Sequence, residues 1–304
     1  MSKVRRTPSA PYTADAKVLN IIEELTIGLR FAGIADPRRV STDILAALLE
    51  VPRSWPIINR ESALESTVLA AAREAARRLG AGAPFAYAVG SAPFRHLVLN
   101  VDSRVLIPRP ETELLVGEIL DLMDAKFKLS ETWGTAVDIG TGSGAIALCL
   151  ASEGKFDKVI ATDVSLDAID VATANAVRCA GALRCDVEFR RGSLIAPVGD
   201  VKATVLVSNP PYIAFSELEA LPRSVRDWEP PLALLSGHDG MAATAKIVSE
   251  GSRILASGGI LALEVDERRA SLAAELIMKH GGYTNIGVRL DLTGRERFVL
   301  ASRT

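Results

Sequence analysis

Four consecutive residues, Asn209-Pro210-Pro211-Tyr212, follow the apolar run Val205-Leu206-Val207. Proline has no N–H to give a sheet ladder, so a strand through that run must stop there. Two ring-locked backbones in a row also fix the direction of the carbonyls they carry. This combination suits a planar nitrogen as acceptor of a transferred group. The lone pair of such a nitrogen is delocalised, which makes it a poor nucleophile. The Asn209 side-chain oxygen and the Pro210 carbonyl can accept its two N–H bonds and aim the lone pair, while Tyr212 stacks on the planar group. That is preorganisation for an in-line transfer. Asn209, Pro210 and Tyr212 are therefore candidate catalytic residues, and together with Pro211 they are candidate substrate-binding residues. No general base stands in the motif, and none is required if the proton leaves after transfer. A turn that merely follows a strand is the plainer alternative.

A second stretch, "AVDIGTGSGAIALCL", reads as a strand, a glycine-rich turn and a helix. Gly140, Gly142 and Gly144 let the backbone turn tightly and approach a ligand closely. The spacing is G-x-G-x-G rather than the G-x-G-x-x-G of dinucleotide enzymes. Asp138 precedes the first glycine, where an acid suits a cationic amino group and repels a pyrophosphate. About 20 residues after the turn, "KVIATDVS" supplies Asp163, an acid placed to accept both hydroxyls of a ribose; a helix N-cap is its alternative role. Together these residues describe a ribose-bearing, cationic, phosphate-free cofactor. S-adenosylmethionine fits that description and a nicotinamide dinucleotide does not. The candidate cofactor residues are Asp138, Gly140, Thr141, Gly142, Ser143, Gly144 and Asp163, with Asn209 beside the same crevice.

The elements that position these residues follow from apolar periodicity. From about residue 13 to 80 the pattern is helical: Val18, Leu19, Ile22, Leu25 and Leu29 recur at steps of three and four, Pro37 opens a second helix, and an alanine-rich third runs from near Glu61 to Leu79. Residues 85–107 change character, and "FRHLVLNVDSRVLI" predicts a hairpin or two short strands around Asn-Val-Asp-Ser. Strands are then predicted at 135–139, 158–162, 186–190, 203–208, 259–265, 284–290 and 296–301, with helices at 111–127, 144–153, 165–180, 239–256 and 267–281. Strand alternating with helix implies an α/β fold with a mostly parallel sheet. The short "DLTG" link makes the last two strands an antiparallel hairpin. Asn209 falls at the carboxyl end of the fourth strand, where open α/β sheets place their chemistry.

A length of 304 residues accommodates a large domain and a small one. With 48% hydrophobic and 24% charged residues and a net charge of −2, the chain lacks the basic surface of a nucleic-acid binder. No apolar stretch reaches the length of a membrane span. The opening "MSKVRRTPSAPYTADA" has no apolar core of a secretory signal and reads as a tail. Cys149, Cys179 and Cys185 form no C-x-x-C pair, and His96, His238 and His280 show no metal spacing, so neither a disulfide framework nor a metal site is expected. Reduced thiols point to the cytoplasm.

The chain resembles a family at several places. Asn209-Pro210-Pro211-Tyr212 is similar to the signature of methyltransferases acting on planar nitrogens, which include DNA adenine and protein glutamine enzymes. "PFAYAVG" (84–90), "VLIPRPETELLV" (105–116) and "VRDWEPPLALLSGHDGM" (225–241) resemble the peptide chain release factor glutamine methyltransferases in particular, and the likeness covers nearly the whole chain. It implies a Rossmann-like seven-stranded methyltransferase sheet (108–304), a linking β-hairpin (84–107) and a small N-terminal helical bundle (1–83) that docks a class 1 release factor. It further implies methyl transfer from S-adenosylmethionine to the side-chain amide nitrogen of the glutamine in a Gly-Gly-Gln loop. Gly140 to Gly144 would wrap the methionine part, Asp163 the ribose, and Asn209 to Tyr212 the glutamine amide. Two departures stand out. Ser193 and Leu194 occupy the place of an acid and a bulky residue that contact the adenine, and no glycine follows Glu264. Methylation of another protein or a small amide, methylation of DNA adenine, and a non-catalytic binding module are the competing readings.

Overall fold

The computed structural model describes residues 17–127 and 132–304; the tail expected over residues 1–16 lies outside them. The chain forms two compact units, Met1–Ser91 and Ala92–Thr304. In the first, α1 (Val18–Phe31), α2 (Pro37–Leu48), α3 (Trp55–Ile58), α4 (Ser66–Gly80) and α5 (Phe85–Val89) follow one another. The α1 stripe buries Val18, Ile21, Ile22, Leu25 and Leu29 against Ile44 and Leu45 of α2 and Leu69, Ala72 and Leu79 of α4. Ile21 takes the inward place expected of Leu19, which is only half-buried. Pro37 opens α2 as predicted, at the first-turn position where its missing N–H costs nothing. The stretch expected to begin a hairpin at residue 84 instead forms α5, which buries Tyr87 and ends at Gly90 with φ 79°. That left-handed cap stops the helix.

The second unit opens with β1 (Ser91–Phe94) and β2 (Leu97–Asn100). They turn at Arg95-His96, with Arg95 at φ 51°, and not at the Asn-Val-Asp-Ser predicted. There follow α6 (Pro110–Lys126), β3 (Thr135–Ile139), α7 (Ala145–Glu153), β4 (Lys158–Asp163), α8 (Leu166–Arg178), β5 (Asp186–Arg191) and β6 (Ala203–Ser208). The short helices α9 (Arg223–Arg226) and α10 (Pro231–Leu234) lead to α11 (Ala242–Ile254), β7 (Leu255–Glu264), α12 (Ala270–His280), β8 (Tyr283–Leu290) and β9 (Glu296–Arg303).

The seven strands from β3 onward form one sheet in the order β5-β4-β3-β6-β7-β9-β8. Every pairing is parallel except those of β9, which inserts antiparallel between β7 and β8. Successive strand residues face opposite ways. Ala136, Val205, Val207 and Ala262 therefore pack with Leu115 and Ile119 of α6 and with α7 on one face. Val137, Leu206, Leu261 and Leu263 pack with Ile247 of α11 and Ile277 of α12 on the other. This is the expected α/β, Rossmann-like sheet with helices on both faces. No helix among the described residues is long and apolar enough to cross a membrane.

The chain runs β3, β4, β5 outward and then returns to β6 on the far side of β3. Open sheets bind ligands outside the strand carboxyl ends at such a reversal. The register makes that edge specific. Ile139 pairs with Thr162 and with Ser208, and Ser208 pairs with Leu263. The next residue on each strand is Asp163, Gly140, Asn209 and Glu264, so these four stand in one row across the edge.

Candidate active site

The glycine turn is laced to the end of β4: the Gly140 and Thr141 N–H groups both donate to the Thr162 carbonyl, at 2.8 and 2.9 Å. Its three glycines do different work. Gly140 and Gly142 have φ of 73° and 55°, and an added Cβ on either would meet nothing within 4 Å because both border open space. At Gly144 (φ 84°) an added Cβ would lie 3.3 Å from Ala172 Cβ, so the third glycine lets α8 pack closely. Asn175 of α8, fully buried, donates to the Ser143 carbonyl at 2.9 Å and holds the turn from behind.

Asp163 braces the same turn from the front. Its Oδ2 accepts from Gly142 N–H at 3.0 Å and its Oδ1 from Ser165 N–H at 2.9 Å. The cap of α8 is Ser165, whose side chain accepts from Ala168 N–H, so Asp163 is not spent as an N-cap. Burial pushes its carboxyl up from the ordinary range, against the pull of the Ser165 and Gly142 N–H groups. On the far side of β4, Thr162 Oγ1 donates to the Leu194 carbonyl at 3.1 Å and Gly192 N–H to the Asp163 carbonyl at 2.8 Å. The Ser193-Leu194 loop is thereby fixed beside Asp163, with Leu194 at φ 49°.

These elements enclose a cavity of about 450 Å³ lined by Gly140, Gly142, Asp163, Ser193, Leu194, Asn209 and Pro211, among others. Val164, 46% exposed although apolar, also lines it. The structure thus brings together seven of the predicted site residues. Asp138, Thr141, Ser143 and Gly144 stand behind the lining. Asp138 is wholly buried, accepts from Thr141 Oγ1 at 2.7 Å and keeps its Oδ1 without a hydrogen-bond partner. Burial pushes its carboxyl up to about 7, with the Thr141 hydrogen bond acting the other way. Pro210 is buried, and Tyr212 lies beside the cavity, not in its lining. Burial pushes the Tyr212 hydroxyl up to about 12, Glu264 adds to that, and Arg297 and Arg109 oppose it.

The wall opposite the glycine turn comes from the segment after the Asn-Pro-Pro-Tyr motif. Ile213 N–H donates to the Leu234 carbonyl at 2.8 Å and Ser236 N–H to the Ile213 carbonyl at 2.9 Å, which straps 230–237 along the motif. Gly240, at φ 76°, lets the chain pass the Tyr212 carbonyl, which an added Cβ would meet at 2.2 Å. Arg109, in the "IPRPETE" stretch, donates to Glu229 Oε1 at 2.6 Å. The Glu229 side chain is 1% exposed, so this ion pair ties the loop before α6 to the strapped segment.

Four residues close to the site have no role in the sequence reading: Thr112, Glu264, Arg109 and Glu229. All but Glu264 lie inside stretches quoted for resemblance, but their pairing partners are far apart in sequence. His96, Cys149 and Glu153 also come together, with ligand atoms within 4.8 Å, a proximity the sequence does not show. Both Glu153 oxygens already accept from Arg95 at 2.6 Å, which makes this cluster an ion pair beside a buried thiol.

Residues 20–90 match the family described as PrmC N-terminal domain, and residues 113–221 match that described as Methyltransferase small domain. The chain is 37% identical to a release factor glutamine methyltransferase of Rhodopirellula baltica, over 93% of this chain and 95% of that protein. It is 36% identical to one of Moorella thermoacetica, over 90% and 94%. It is 34% identical to one of Deinococcus radiodurans, over 93% and 98%. With relatives matching nine tenths or more of the chain, and with the two family models spanning the helical unit, the glycine turn and the Asn-Pro-Pro-Tyr motif, the chain belongs to the release factor glutamine methyltransferase family.

Proposed function

We propose that this protein is a cytoplasmic, S-adenosylmethionine-dependent methyltransferase. Its acceptor is the side-chain amide nitrogen of the glutamine in the Gly-Gly-Gln motif of class 1 peptide chain release factors. The observation that carries the reading is the sheet edge, where Gly140 and Asn209 directly follow the paired residues Ile139 and Ser208 and line the same cavity as Asp163. The names of its relatives support the substrate.

The residues present fit the cofactor. A volume of about 450 Å³ suits a ligand of that size. Gly140 and Gly142 leave their side-chain space open for a close backbone approach. Asp163 has two oxygens with lone pairs beyond its two N–H contacts, enough for a pair of ribose hydroxyls. Val164 and Leu194 give an apolar surface for the base, with Ser193 beside it in place of an acid. When bound, S-adenosylmethionine supplies an electrophilic methyl group on a sulfonium.

The chain's own work is orientation. Asn209 Oδ1 and the Pro210 carbonyl accept the two N–H bonds of the glutamine amide, which turns the nitrogen lone pair toward the cofactor side of the cavity. Tyr212 offers its ring to the amide plane from beside the cavity. Because the prolines and the 230–237 strap fix these groups beforehand, little reorganisation is left for the moment of transfer. The N-terminal helical unit would dock the release factor. Incubation with methyl-labelled S-adenosylmethionine and, in parallel, a class 1 release factor or duplex DNA tests the proposal. Label in the release factor alone is expected; label in DNA, or in neither, would overturn it.

A further inference from the structure

Asn209 is the polar side chain of its motif, yet what fixes its carboxamide lies outside the motif. Its Nδ2 donates to Thr112 Oγ1 at 3.2 Å. Thr112 sits in the first turn of α6, 4% exposed. Two elements distant in sequence thus meet in one contact: the first turn of α6 and the end of β6.

A hydroxyl has one proton and two lone pairs. In the observed contact Asn209 Nδ2 donates, so a lone pair is what Thr112 offers Asn209. Only the NH2 end of the carboxamide satisfies it. The oxygen is then the end left for the substrate. Without the hydroxyl the two ends are nearly isosteric and the group can turn, meeting the substrate amide donor to donor. We propose that Thr112 is a positioning residue that holds the Asn209 carboxamide with its oxygen toward the substrate N–H.

The inference rests on the function proposed above, and the test separates the two. Steady-state methylation of release factor is measured for the wild type, Thr112→Val, Thr112→Ala and Thr112→Ser, each also combined with Asn209→Ala, alongside calorimetric titration with S-adenosylhomocysteine. Removing the hydroxyl should lower kcat roughly five- to tenfold, the size of one neutral hydrogen bond, with KM and cofactor affinity unchanged. Thr112→Ser should restore kcat. In the Asn209→Ala background the Thr112 changes should cost nothing more, because Thr112 acts only through Asn209. Should Thr112→Val not fold, Thr112→Ala and Thr112→Ser carry the same comparison. Wild-type kcat without the hydroxyl, or an equal loss in both backgrounds, would overturn the positioning role alone. No transfer by the wild type would overturn the function and this inference with it.

Discussion

Replacing Asp163 with asparagine separates cofactor binding from bracing of the glycine turn. The carboxylate accepts Gly142 N–H on one oxygen at 3.0 Å and Ser165 N–H on the other at 2.9 Å. A carboxamide can accept on only one end, so one N–H faces a donor and loses its bond. Hydrogen bonds to a charged group contribute roughly 1.5–3 kcal/mol each. Against that loss stands the cost of burying the charge, which already outweighs both N–H contacts, since the carboxyl is held above its ordinary range. In the cofactor-free protein the two effects oppose, and the net change should stay within about 1 kcal/mol, or about 2–4 °C in Tm for a domain of this size. Ribose hydroxyls have no such offset. Their loss of a charged acceptor should weaken S-adenosylhomocysteine binding by roughly 1.5–3 kcal/mol, about ten- to a hundredfold. Calorimetric titration and thermal melts of the same preparations read both quantities. Unchanged affinity would reduce Asp163 to a brace of the turn. A large fall in Tm matched by the affinity loss would show that the site collapses and that no direct contact is lost.

Asn209→Ala removes one of two acceptors that orient the substrate amide; kcat should fall by about 10²–10³ (roughly 2.7–4 kcal/mol, as for an oxyanion-hole donor) with cofactor affinity retained, and more than about a tenth of wild-type turnover would refute the role. Asp138, held at about 7 by burial, binds its proton more tightly folded than unfolded. Its contribution to stability is therefore fully present below the ordinary aspartate range and lost as pH rises through about 7. Asp138→Asn should flatten that part of the stability profile and raise Tm at pH 8; a profile that keeps its slope would contradict the assignment. Gly240→Ala forces a left-handed φ of 76° on alanine and sets its Cβ against the Tyr212 carbonyl and Arg269. Strain alone costs about 1–2 kcal/mol, so a lower Tm and a lower kcat are expected together, and an unchanged kcat would mean that the Tyr212 backbone position does not matter. Deleting residues 1–91 should leave the sheet unit folded and able to bind S-adenosylhomocysteine. Activity should be lost on intact release factor and little changed on a short Gly-Gly-Gln peptide; equal losses on both would remove the docking role.

What the sequence showed of this protein was what period and local chemistry encode. Six of the seven sheet strands begin within a residue of their predicted positions, because runs rich in apolar and β-branched residues set them apart from the helical stretches between them. The exception, β7, starts at Leu255, ahead of the predicted residue 259. The pairing of β6 with β7 shifts register between Ala203 and Val205, and that irregularity carries the early residues into the sheet. The hairpin turn at Arg95 was hidden because a non-glycine residue at φ 51° leaves no composition signal. At the site, the glycine turn, Asp163 and Asn209 were legible because each sits at a strand end with a local reason to be there. Thr112 was not. Its significance is a contact between positions 97 residues apart, Asn209 and Thr112. Single-residue patterns cannot express such a pairing.

The central claim is that the Asn209 edge presents acceptors to a glutamine amide and to nothing else in the substrate. Fragment mass spectrometry of a class 1 release factor, after reaction with this protein and S-adenosylmethionine, tests it most directly. The account predicts one added methyl, confined to the side-chain amide nitrogen of the glutamine in Gly-Gly-Gln and absent after treatment with Asn209→Ala. A methyl on any other residue, or on that glutamine with Asn209→Ala as effectively as with wild type, would contradict it.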